Sequence, residues 1–133
     1  DALIDKLKNT SINILSVDDN RLNHVVTNGI ISKFGLSVDT ASNGKEALEL
    51  LAQKKYDIVF MDCHMPVMDG FCATKEIIEI YGARRPYIIA LTASAMKEDI
   101  EKCYQVGMDD FLAKPVSLES MTLAFLKIFK QAA

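Results

Sequence analysis

The stretch DIVFMDCHMPVMDG, residues Asp57 to Gly70, decides the fold. Its first part, Asp57 to Met61, is a short run that is apolar on both faces after its first residue. Such a run suits a strand of a parallel sheet covered on both sides. It ends at an acid, Asp62, and passes into a loop rich in turn residues. Met65-Pro66-Val67-Met68 followed by Asp69-Gly70 reads as a fixed loop, with Gly70 expected to supply a backbone conformation awkward for other residues. A helix is expected from about Phe71 to Tyr81, closed by Gly82.

The same alternation runs through the rest of the chain. Ile12 to Val17 reads as a buried strand. After it Leu22, Val25, Val26, Gly29, Ile30 and Phe34 recur at helical spacing and predict an inward face, with Gly35 at the helix C-terminus. Leu36 to Thr40 is a second, weaker strand, and Asn43 with Glu46 forms a capping box that opens a helix carrying Ala47, Leu48 and Leu51 inward. Tyr87 to Leu91 is the fourth strand, and the helix from about Met96 ends before Gly107. A short strand, Phe111 to Ala113, stops at Lys114-Pro115. The last helix starts near Ser117 and presents Leu118, Met121, Phe125, Leu126 and Phe129. Strands alternating with helices in this way make an α/β (βα)₅ fold, a parallel sheet with helices on both faces.

Composition narrows the function classes. The 133 residues carry 15 Lys+Arg and 18 Asp+Glu, a formal charge of −3, and half are hydrophobic. That is one domain with one core. Its sequence pI near 5.3 argues against nucleic-acid binding by this domain. No stretch reaches the roughly 18–20 apolar residues that span a bilayer, so no membrane contact is expected of it. Cys63, Cys72 and Cys103 form no CxxC pair and are odd in number, which disfavours a disulfide framework or a structural zinc site. Together with an N-terminus lacking an apolar signal region, they point to a reducing cytoplasmic setting. The chain starts with Asp rather than Met and is read as a piece of a longer protein. Residues 1–11 are expected to be a linker or N-terminal extension, 12–130 the domain, and 131–133 a tail.

In an open parallel sheet the active crevice lies beyond the C-terminal strand ends. Asp18-Asp19 follow the first strand, Asp62 the third, Thr92 the fourth (with Ala93, Ser94 and Ala95 after it), and Lys114-Pro115 the fifth. Each alone reads as a helix cap or a solvated loop residue. Their convergence is different, because three gathered carboxylates repel and need a cation to offset them. Oxygen ligands with room for water and phosphoryl oxygens suit Mg²⁺, or Mn²⁺ in its place.

At this level of detail the chain resembles the response-regulator receiver domains, the CheY-like aspartate-phosphorylated modules of two-component signalling and phosphorelays. The matching segments are LSVDDN (Leu15–Asn20), ASNGKEAL (Ala41–Leu48), the Asp57–Gly70 stretch, IIALTASAM (Ile88–Met96) and GMDDFLAKPV (Gly107–Val116). The likeness spans about residues 12 to 130 and is strongest to receivers of hybrid sensor histidine kinases. It implies a flavodoxin-like sandwich with strand order 2-1-3-4-5. It also implies that Asp62 accepts a phosphoryl group from phosphohistidine. Asp19, Asp62 and the backbone carbonyl of His64 would hold Mg²⁺, with Asp18 acting through water. Lys114 would neutralise a phosphoryl oxygen and Thr92 would hydrogen-bond another. Thr92 and Phe111 would form the switch, and the Lys114-Pro115 bond would be cis.

The implied partners are a histidine kinase or a histidine phosphotransfer domain, whose phosphohistidine helix would dock on the first helix. The domain itself would be a monomer or weak dimer, cytoplasmic even where the parent protein is membrane-anchored, and no kinase on its own account. Among other residues, His64 is expected near the site mouth, His24 at the surface or an interface, and Cys63 turned away from the pocket by strand pleating.

Other readings fit less well. A haloacid-dehalogenase-type phosphatase places a second Asp two residues after its nucleophile, where this chain has His64. A flavodoxin-like electron carrier wants a Ser/Thr/Gly-rich phosphate loop, and Asp18-Asp19-Asn20 would repel that phosphate. A degenerate receiver would lack reactive positions that are all filled here. A stand-alone single-domain regulator is the alternative to a hybrid-kinase origin.

Overall fold

Among the described residues, five short strands alternate with five helices. Strands β1 to β5 are Ile14–Val17, Val38–Ala41, Ile58–Asp62, Tyr87–Thr92 and Asp110–Ala113. Helices α1 to α5 are Arg21–Ser32, Gly44–Gln53, Gly70–Tyr81, Lys97–Gln105 and Leu118–Ala132, with a 3₁₀ turn over Gly82–Arg84. This computed structural model describes residues 12–132 except 66, 94, 95 and 115, and the side chains only to 128. The expectations for the N-terminal extension, a cis bond at Pro115, Ser94 and Ala95 beyond Thr92, and an inward Phe129 lie outside the described residues.

The sheet has the order β2-β1-β3-β4-β5, with every neighbouring pair parallel. Alternation along the strands divides the core into two layers. Leu15, Val17, Val59, Met61, Ile88 and Ala90 pack with Ala47, Leu51, Phe71, Ala73, Ile77 and Cys103 of α2 to α4. Ile14, Ile58, Phe60, Ile89, Leu91 and Leu112 pack with Ile31, Phe34, Met121, Ala124 and Phe125 on the α1 and α5 side. There Phe125 meets Phe34 edge-on at 5.0 Å and Phe60 at 6.4 Å. Among the described residues, no helix is long and apolar enough to cross a membrane.

Two expected inward faces are corrected. In α1 the buried residues are Thr27 and Ile31, continued by Phe34, whereas Leu22 is 74% and Val25 65% exposed and Val26 is exposed too. At about 100° per residue, the Leu22–Val25–Val26–Gly29 stripe falls nearly opposite the buried one. The helix is apolar on two faces, and the sheet can cover only one. In α5 Met121 and Phe125 are buried as expected, but Leu118 and Leu126 are exposed, and Ala124 takes the inward place. Leu48 of α2 is only partly buried against the core.

Strand limits shift by one or two residues. β1 begins at Ile14 and β2 at Val38, whereas β3 takes in Asp62 and leaves out Asp57. Asp57 instead closes the opposite end of the sheet: its carboxylate accepts the Asn13 N–H at 2.9 Å, and its carbonyl accepts the Tyr87 N–H at 2.9 Å. Helix starts follow their caps. Asn43 accepts the Glu46 N–H at 2.9 Å, Asp69 the Cys72 N–H at 2.9 Å, and Asn20 the Leu22 N–H at 2.8 Å. Gly35 and Gly82 both take positive φ at helix ends, as expected.

Candidate active site

The strand register brings the candidate residues to one rim. Val17 pairs with Met61, Asp62 with Leu91, and Thr92 with Ala113, so β1, β3, β4 and β5 end at nearly the same level. The next positions in line are Asp18 after β1 and Lys114 after β5. The Lys114 N–H donates to the Thr92 carbonyl at 2.8 Å, which ties the last two strand ends together.

Asp18 and Asp62 are buried, Asp19 is exposed, and a carboxylate oxygen from each lies within 4.8 Å of the others. Asp18 divides its two oxygens. Oδ1 accepts the Asn20 N–H at 2.9 Å and the Asn23 amide at 3.4 Å. Oδ2 is buried without a hydrogen-bond partner among the described residues and lies 3.4 Å from the Lys114 ammonium. Lys114 Nζ is also 2.9 Å from Asp62 Oδ1, which accepts the His64 N–H at 3.3 Å.

The electrostatics follow from burial. Desolvation and, less strongly, the Asp18 charge push the Asp62 carboxyl up while Lys114 and the His64 N–H pull it down, and the net result is a rise to about 6. For Lys114, burial favours the neutral amine, but Asp62 and Asp18 outweigh it and the net shift is upward. The ammonium therefore offsets part of the cost of burying the Asp62 carboxylate beside Asp18. Three carboxylates with an oxygen from each within 4.8 Å of the others make an all-oxygen set that fits a hard divalent cation.

The structure brings Asp18, Asp19, Asp62, Thr92 and Lys114 to the rim. Thr92 is buried at its end of β4. Phe111, half-buried on β5, packs edge-on against Tyr104 of α4 at 6.4 Å. The His64 side chain is exposed and stacks edge-on against Phe71 at 5.8 Å. Cys63 is turned to the α2–α4 layer, away from Asp62, as pleating requires.

Two expectations change. Gly70 is not needed for its backbone angles, since φ is positive only at Gly35, Gly82 and Gly107 among the described glycines. A Cβ at Gly70 would instead run into the Asp62 carbonyl oxygen, and its N–H donates to the Cys63 carbonyl at 3.1 Å. Among the described residues of this loop, the left-handed one is Val67, at φ 70°. His24 is not merely a surface residue. Its Nε2 lies 2.7 Å from the Asp18 carbonyl and its Nδ1 3.5 Å from the buried Ser16 hydroxyl, so it braces the loop that carries Asp18 and Asp19. Helical spacing from Asn20 places position 24 one turn along, but nothing in the sequence marks it as turned toward β1.

Comparison with known proteins agrees with this geometry. The sequence model of the response regulator receiver domain matches residues 14–125. The chain is 38% identical over 120 residues to the aerobic respiration control sensor protein ArcB of Escherichia coli K12, covering 90% of this chain and 15% of ArcB. It is 41% identical over 119 residues to two-component system protein A of Emericella nidulans, covering 87% of this chain and 17% of that one. The chain thus spans under a fifth of the length of these curated relatives.

Among solved structures, one similar fold is the receiver domain of a sensor histidine kinase from Pseudomonas aeruginosa PAO1, solved with a magnesium ion in its active-site cleft. It has a TM-score of 0.80 and 37% identity, covering 89% of this chain and 97% of that one. Another is the receiver domain of Ssk1 from Saccharomyces cerevisiae in complex with the phosphotransfer protein Ypd1, with a TM-score of 0.77, 33% identity and 84% of each chain covered. With five ordered motifs, the sheet order and the acid–lysine rim all in place, this chain belongs to the response regulator receiver domain family of two-component phosphorelay signalling.

Proposed function

We propose that Asp62 is the residue of this chain that takes the phosphoryl group, and that the chain serves as the receiver of a hybrid histidine kinase. The observation that carries this reading is the Lys114 ammonium set 2.9 Å from a carboxylate at the end of the central strand, with two further acids beside it. A carboxylate is a weak nucleophile, so the site must work by positioning and by neutralising charge. Lys114 and the His64 N–H hold Asp62 ionised and oriented. A carboxylate oxygen forms the new bond to phosphorus as the bond from the donor histidine nitrogen breaks. Asp19, Asp62 and the His64 carbonyl would hold Mg²⁺, with Asp18 through water, and the ion would supply charge neutralisation at the transferring group.

The exposed Leu22–Val25–Val26 stripe of α1 lies opposite the helix's buried face, and its Val25 shares a surface cleft with Asp19. It fits the apolar face of a phosphohistidine-bearing helix, from a histidine kinase or a phosphotransfer domain, laid across the rim. Thr92 and Phe111 would pass the signal on. The phosphoryl oxygen draws the Thr92 hydroxyl inward, and the half-buried Phe111 ring turns into the space it leaves.

A small phosphodonor with Mg²⁺ should add one phosphate to the chain. Asp62→Asn and chelation by EDTA should each abolish the mass shift. Phosphorylation that survives either change refutes the assignment. Thr92→Ala should keep the phosphate yet lose the amide shifts over β5 in NMR spectra.

A further inference from the structure

Cys63 and Cys103 lie 40 residues apart in sequence, yet their sulfurs sit 3.7 Å apart. Both are free thiols and each is 1% exposed. Cys63 directly follows Asp62, and Cys103 is the only buried residue of α4. The neighbouring positions repeat the connection: Lys102 Nζ lies 4.3 Å from the Phe71 ring, and Phe71 stacks on His64. α4 is thus fastened through two consecutive residues to the two positions that follow the phosphoacceptor. This link reaches α4 one residue before Tyr104, whose ring packs on Phe111.

We propose that Cys63 and Cys103 form a dithiol which a peroxide-class oxidant converts into an intramolecular disulfide, pinning α4 to the phosphoacceptor loop. The step balances with hydrogen peroxide alone. One sulfur takes an oxygen to become a sulfenic acid and one water leaves. The second sulfur displaces the hydroxyl, the S–S bond forms, and a second water leaves. The two sulfurs supply the two electrons that reduce the O–O bond. Sulfurs 3.7 Å apart must close to the about 2.05 Å of a disulfide, and the two residues already pack in one core layer. Burial of both thiols disfavours the reactive thiolate and slows the first step, and it admits a small peroxide more readily than a bulky disulfide reagent. Cys72 is exposed on α3 and would meet oxidant first.

The cross-link does not depend on the phosphoacceptor reading, but its effect on signalling does. The whole chain carrying Cys72→Ser is treated with hydrogen peroxide, quenched, unfolded and alkylated with iodoacetamide. The expected product is a monomer two hydrogens lighter, with neither remaining thiol alkylated, and reversed by dithiothreitol. Peptide mapping should join the segments holding Cys63 and Cys103, in the wild-type chain as well. Two alkylatable thiols, oxidation only to sulfinic acids, or bonds only between chains would overturn the proposal.

Beryllofluoride with Mg²⁺ is then added to the reduced and cross-linked forms. Amide shifts beside Asp62 should persist in both, and those over residues 97–105 should fall by about threefold or more in the cross-linked form. Undiminished shifts over α4 overturn the locking, whereas no response near Asp62 in the reduced chain sinks the phosphoacceptor reading instead.

Discussion

Lys114 Nζ stands 2.9 Å from Asp62 Oδ1, so the charge that ends β5 neutralises the charge that ends the central strand. The same ammonium reaches Asp18 at 3.4 Å. It is the cation around which the rim folds. Lys114→Ala should therefore destabilise the metal-free protein at neutral pH, because two buried carboxylates lose their common partner. Asp62→Asn should recover much of that loss, with a coupling on the order of 1–3 kcal/mol in a double-mutant cycle measured by urea unfolding. Independent, additive losses would show that the contact contributes nothing.

Gly70 packs where any side chain would strike the loop it serves. A Cβ there would overlap the Asp62 carbonyl oxygen and sit 2.9 Å from Met61 Cγ. Gly70→Ala should cost about 1–3 kcal/mol and shift the β3–α3 loop. The urea midpoint reads the first effect, and phosphorylation rate reads the second. An unchanged midpoint would mean the loop has room to give.

Val67 is the strained residue of that loop, a β-branched side chain at φ 70° and 79% exposed. Its left-handed backbone is costly for any L-residue with a Cβ. Val67→Gly removes the clash but frees the unfolded chain, so the net gain should be about 0.5–1 kcal/mol. A higher midpoint in urea at unchanged slope is the expected result. Destabilisation would show that the Val67 side chain makes a contact worth more than the strain.

Tyr56 links stability to alkaline pH. Its buried hydroxyl donates to Asp39 Oδ2 at 2.7 Å, and burial followed by that carboxylate pushes the phenol from its ordinary value near 10 up to about 12. The raised value means the folded state keeps the proton longer than the unfolded chain. Stability from this group is therefore full below about pH 10 and is lost as pH rises toward 12. Tyr56→Phe should lose about 1 kcal/mol at neutral pH with the hydrogen bond. It should also flatten the alkaline decline, and thermal melts across pH 8–12 check both effects. Tyr87 and Tyr104, raised mainly by burial as well, will still titrate in the variant.

The sequence by itself determined the order of elements, the parallel sheet and the composition of the rim. Period-two and period-3.6 patterns are local, and the acids, threonine and lysine stand one step beyond apolar runs that end unambiguously. The Asn43 cap on the Glu46 N–H and the positive φ of Gly35 and Gly82 were legible for the same reason: each is set within one turn of chain. Tertiary structure alone decided which of the two apolar faces of α1 is covered, because a helix with hydrophobic residues on both sides carries no local sign of which meets the sheet. It also decided why Gly70 must be glycine. A positive φ and a close approach leave the same residue in the sequence, and only the position of the Asp62 carbonyl tells them apart. The His24 brace on Asp18 and the facing of Cys63 and Cys103 belong to the same class. They are contacts between elements whose meeting depends on how β1, β3, α1 and α4 pack, which no window of neighbouring residues encodes.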